Sequence, residues 1–245
     1  MKNAERVVKN LIIGILGTGL YMAASWLLFA YGEGNSHNGQ IESNWAKMPM
    51  IRFRLAILVT AVAAPLFLVG VKSAVKAINV ARRRRYPFDF YMAKLFEIGA
   101  YGAAISMLFN MAVSVILPVL YRELFNTRLM GAEIISTIES VFYFVSIPFY
   151  VYYWVGIVGV SIGFMYFVMI GRLLVPRITL INTPLFFVIL ELALRGLENS
   201  LVDDIFAASD GIGYLLMFGV ILTFVTRIPS KRRDRRGARR RNNRD

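Results

Sequence analysis

Apolar positions along this chain come in blocks of about twenty, separated by short polar or charged stretches. The longest uncharged block, Ser140 to Gly171, runs for 32 residues without Asp, Glu, Lys or Arg. A bilayer core about 30 Å thick is crossed by roughly 20 apolar helical residues, and a run this long has no place inside a small water-soluble domain. Pro148 marks a break, because proline starts helices and lacks an amide donor. A crossing from Phe149 to Gly171 follows, with Tyr150, Tyr152, Tyr153 and Trp154 expected in the aromatic belt at one interface. Gly159 and Gly163 form a GxxxG face, which serves either packing within one bundle or a dimer contact.

The same pattern predicts five further spans, at about 11–31, 53–71, 95–120, 178–197 and 211–226. Gly14, Gly17 and Gly19 in the first mark a close helix contact. That run is longer than a cleavable signal core and reads as an uncleaved span. Lys72 to Val80 continues the second helix past the bilayer, and Leu129, Ile134, Ile135 and Ile138 recur at the spacing of a helix lying on the membrane surface. The fifth segment is the least regular, interrupted by Asn182, Pro184, Glu191 and Arg195. Thr183 and Pro184 resemble a helix start, which would leave only enough apolar residues for a re-entrant element.

Charge decides between these readings of the fifth segment. With six spans and both termini in the cytoplasm, 22 of the 28 Lys and Arg residues fall on the inner side, as the positive-inside rule requires. A re-entrant fifth segment would carry ten basic residues, from Arg227 onward, to the opposite face. The predicted fold is therefore all-α, a polytopic bundle of about six transmembrane helices over residues 1–227. Residues 228–245 read as a disordered basic cytoplasmic tail, since no apolar period runs through them.

Composition adds limits. The chain has 245 residues, net charge +13 and no cysteine, which excludes disulfides and thiolate metal sites. The absence of any N-x-S/T acceptor is compatible with a prokaryotic cytoplasmic membrane. The only histidine, His37, sits in a polar loop and reads as solvated. Ser73 and Lys76 make an S-x-x-K pattern without its companion hydrolase elements, and there is no H-E-x-x-H, G-x-S-x-G or Walker motif. The sequence thus points away from an enzyme, and no cofactor is implied.

Candidate chemistry lies in the spans. Asn110, Glu191 and Arg195 are polar or ionisable inside apolar segments, where such groups are costly and mark solute or ion paths. Alternatively Asn110 bonds a neighbouring helix, while Arg195 reaches the interface and neutralises Glu191. Asp203, Asp204 and Asp210 fall in an acidic loop that is either solvated or concentrates cations. Arg82, Arg83, Arg84 and Arg85, with Arg232, Arg233, Arg235 and Arg236 in the tail, suit anionic lipid headgroups or an acidic protein partner. Nucleic acid is disfavoured because no folded reader or stacking platform accompanies them. Two functions follow: a small transporter or channel component with a polar intramembrane site, or a non-catalytic subunit or scaffold of a larger assembly. A homo-oligomer is compatible with either.

Overall fold

The computed structural model describes residues 2–38, 41–82, 86–127, 131–194 and 204–242; for residues 2, 3, 37, 38, 110, 111, 148 and 228–242 it describes the backbone alone. The described chain is nearly all helical: α1 (Lys2–Phe29), α2 (Met50–Ala81), α3 (Pro87–Phe125), α4 (Gly131–Met169), α5 (Pro184–Leu194) and α6 (Ser209–Asn242). Five of these contain a stretch long and apolar enough to cross a membrane, with mean hydropathy from 1.6 to 2.2. Large apolar side chains point outward along them, for example Leu16, Leu58, Ile98 and Phe144, the last 85% exposed. In water such a surface would drive association; against lipid tails it is the expected exterior. The chain is built as an integral membrane protein.

Glycine permits close backbone contacts between helices. A Cβ on Gly14 would stand 2.5 Å from the Cα of Gly70, and one on Gly17 2.5 Å from the amide of Phe67, so α1 and α2 touch backbone to backbone. Gly19 has open space around it and takes no part. Gly99, on α3, meets Gly159 and Val160 of α4, and Gly163 meets Phe96. The GxxxG face is therefore spent inside the bundle, on the α3–α4 hairpin.

α6 runs antiparallel to α1: Asp210 meets Tyr21, while Phe218, two turns on, lies beside Gly14. The start of α1 and Arg227 consequently share one end of the bundle, the basic end, which also carries Arg82 and Arg172. At the other end the Gly32–Pro49 connection is folded rather than merely solvated. Asn44 donates to the carbonyls of Tyr31 and Glu33, and Arg52 donates to those of Trp26, Leu27 and Ala30 at the C-terminus of α1. A guanidinium there satisfies orphan carbonyls and complements the helix dipole. A two-residue antiparallel pair, β1 (His37–Asn38) with β2 (Ile41–Glu42), closes the loop.

Three expectations change. The surface helix is the first half of α4: Ile134 and Ile138 are buried in the main core, and one continuous helix passes through position 148. The fifth segment is not a helix from Ile178. Arg177–Ile181 is a 3-10 turn, Asn182 and Thr183 break the chain, and α5 begins at Pro184. Its 11 described residues span about 16 Å, half of the hydrocarbon thickness. The backbone is helical through Asn242, because continuity with α6 supplies the nucleus that an isolated basic stretch lacks.

A valine at Gly99 should destabilise the protein by about 1–3 kcal/mol, because α3 and α4 must separate. A valine at Gly19 should leave stability unchanged. Thermal unfolding of the two variants in detergent checks the contrast.

Candidate functional site

The break before α5 lies inside the bundle. Pro184 packs directly on Gly213 of α6, and the Leu185 amide donates to Ser161 Oγ of α4 at 3.1 Å. That hydrogen bond meets one of the amides that a helix start leaves without an intrahelical acceptor, a need that is acute away from water. Space remains beside α5 above the break, toward the loop end. A cavity of about 990 Å³ occupies it, walled by α1, α3, α4, α5, the Gly32–Pro49 loop and the start of α6.

Four carboxylates stand in the wall, Glu42, Glu191, Asp204 and Asp210, and among the described residues no Lys, Arg or His does. Asp210 sits in the first turn of α6, where the helix dipole favours an anion. It is buried, accepting from the Tyr21 hydroxyl at 3.3 Å and from the Gly211 amide at 2.7 Å. Ser209 donates to Glu191 Oε2, joining α6 to α5. Asp204 accepts from the Tyr31 amide at 3.0 Å, and Asn35 donates to Glu42. Aromatic rings fill much of the rest. Phe142, Phe149, Tyr150, Tyr153 and Trp154 form a ladder along α4, and Trp45 lies near Tyr31. Two buried groups of the wall, Trp45 Nε1 and Ser146 Oγ, have no hydrogen-bond partner among the described residues.

Side-chain contacts tie the opposite end together. Gly171, at φ +67°, ends α4 with paired bonds from Gly171 and Arg172 to the carbonyls of Val168 and Phe167, and so turns Arg172 back. Arg172 Nε then lies 3.4 Å from Asp89, a buried carboxylate that also accepts from Tyr166 at 2.8 Å. Arg172 further stacks on Tyr86, Arg82 on Phe90, and Arg227 donates to the Leu174 carbonyl.

Of the candidates read from sequence, Glu191 is on the cavity wall. The Asn110 side chain lies outside the described residues, as do Arg195, Arg83, Arg84, Arg85, and the side chains of Arg232, Arg233, Arg235 and Arg236. Ser73 is buried while Lys76 is exposed, so the S-x-x-K pattern builds no dyad. Two readings are corrected: Asp210 belongs to no solvated loop, and Tyr153 faces the cavity rather than the interface belt. Sequence reasoning missed Tyr21, Ser209 and the α4 aromatic ladder as site residues. The one available signal was Ser209-Asp210-Gly211 at the head of a span, a helix-start pattern that buries its own carboxylate.

The chain belongs to DUF6796, a family of unknown function, whose model matches residues 1–227. No curated protein and no solved structure matches it.

Because the chain has no cysteine, single thiols report cleanly on the site. Ser25→Cys, on the wall, should react with small thiosulfonates, and about tenfold faster with a trimethylammonium reagent than with a sulfonate of similar size, given clustered negative charge. Ser73→Cys, buried away from the cavity, should not react. Labelling rates followed by mass spectrometry measure both.

Proposed function

We propose that this protein binds a small solute within the membrane and belongs to the transport class. The carrying observation is the cavity: acid-lined, aromatic, set inside an apolar helical bundle and beside a broken helix. Discontinuous helices recur at the midplane sites of transporters, where unwound backbone and polar side chains replace the hydration of the cargo. On this reading the chain crosses six times, with the segment that begins at Arg172 making the fifth crossing as turn, break and helix. Both termini then lie on the cytoplasmic side, together with Arg82, Arg172 and Arg227, in keeping with the charge bias of the chain. The cavity opens to the outside, and the Asp89–Arg172–Tyr166 cluster closes the inner end. No catalysis is assigned.

The basic end supports a second role. Arg82 and the tail helix from Ile228 place positive charge where anionic headgroups gather, at about 1 kcal/mol per basic residue near the surface. An acidic protein partner would meet the same charge. This docking accompanies solute binding and does not compete with it.

The purified protein in nanodiscs, equilibrated with a cell extract of small molecules and washed, should retain one class of solute detectable by mass spectrometry. The double variant Glu191→Gln, Asp210→Asn should lose that solute while unfolding at the same or a higher temperature, since removing charges held away from water relieves a desolvation cost. Undiminished retention by the variant would contradict the proposal.

A further inference from the structure

The loop end of the bundle carries a second, smaller cavity, and we infer that it binds the headgroup of an anionic phospholipid. This site shares no wall residue with the larger cavity and does not depend on the solute-binding reading.

The cavity, about 320 Å³, lies between the 3-10 turn Ser43–Ala46 and the last turn of α3. Lys47 and Arg122 bring two positive charges to it, and Ser43 and Asn126 add neutral polar groups. No Asp or Glu stands in its wall among the described residues. Arg122 donates to the Met48 carbonyl, which pins the guanidinium between loop and helix and leaves its other N–H groups for a ligand. Neither Lys47 nor Arg122 forms an ion pair among the described residues. The nearest stretches of chain on either side, Gly39 with Gln40 and Arg128 with Leu129 and Met130, contain no carboxylate to offer. Two cations on one small cavity are stabilised by an anion between them, and a guanidinium matches phosphate with paired hydrogen bonds.

Depth in the membrane selects a lipid over a dissolved anion. Arg54 and Lys72, both exposed, bracket 17 uncharged residues of α2. At about 1.5 Å per residue that stretch is about 26 Å long, close to the hydrocarbon thickness, so Arg54 marks the edge of the hydrocarbon at the loop end. Met50, where α2 starts, stands about 6 Å beyond Arg54, and the headgroup layer is about 5–7 Å deep. The Met48 carbonyl, and Arg122 with it, falls at that level. Tyr121 and Phe125 line the cavity with ring centroids 5.8 Å apart, and aromatic rings gather at the same depth. Phe125 and Ile51, the latter one turn on from Met48, are each more than half exposed and offer apolar surface on which acyl chains can lie. A zwitterionic headgroup would bring its own ammonium toward Lys47 and Arg122, so the site favours a headgroup of net negative charge.

A thiol at Ala46, on the wall of this cysteine-free chain, reads occupancy. The full-length Ala46→Cys protein in nanodiscs is treated with methyl methanethiosulfonate, a neutral reagent. Its labelling in phosphatidylglycerol discs should be about tenfold slower than in phosphatidylcholine discs, the protection given by a ligand at about ten times its dissociation constant. Ser36→Cys, exposed on the same loop and off the wall, should react equally in both. Adding Lys47→Glu to Ala46→Cys should abolish the difference. The Lys47 side chain is exposed and makes no hydrogen bond or ion pair among the described residues, so the fold survives that change. Equal labelling of the Ala46→Cys protein in both lipids, or a difference that persists with Lys47→Glu, overturns the assignment. So does equal protection by inorganic phosphate added to phosphatidylcholine discs, which would make this a site for dissolved anions.

Discussion

Backbone amides and carbonyls have no water to bond inside a bilayer, and each segment that crosses must satisfy its own or be sheltered by neighbours. Five helices meet that demand internally. The segment from Arg172 to Leu194 is not one continuous helix, and its break is sheltered by the helices around it. Its break is buried against Gly213, one freed amide is taken up by Ser161, and a proline with no amide to satisfy opens α5. The cavity lies beside the helix that follows the break.

Once that space exists, polar groups become affordable on its wall. A carboxylate facing lipid would be expelled or neutralised, whereas Asp210 is held by a tyrosine hydroxyl from α1 and by its own helix start. The two ends are built differently. Side chains at the basic end interlock around the buried Asp89, while the loop end is tied down by Asn44 and Arg52 yet remains hollow behind them. The described residues thus interlock at one end of the bundle and border a cavity at the other.

Much of the architecture was legible in the sequence. An uncharged apolar run reports its environment without tertiary information, so the four spans through Gly171 and the last were readable from hydropathy, as was the packing use of Gly14, Gly17, Gly159 and Gly163. The fifth segment was only half legible. Asn182, Thr183 and Pro184 announced the break, but charge parity counts sides of a membrane and is blind to whether a crossing is helical throughout. Ile134 and Ile138 were misplaced because an amphipathic period does not say whether its apolar face meets lipid or another helix. Asp210 was hidden for a deeper reason: its partner Tyr21 is 189 positions away, and only the fold makes an acidic, loop-like stretch into a buried wall.

The central claim, a fifth crossing that is half irregular and faces water on its helical half, is tested most directly by nitroxide spin labels placed in turn at positions 178–194 in liposomes. Relaxation by a water-soluble nickel complex should peak at 188, 191 and 192, the positions on the cavity wall, while oxygen should dominate at Phe186 and Ile189, which are exposed on the outer surface. Oxygen dominance at every position, with the even periodicity of one unbroken helix from Ile178, would contradict the account.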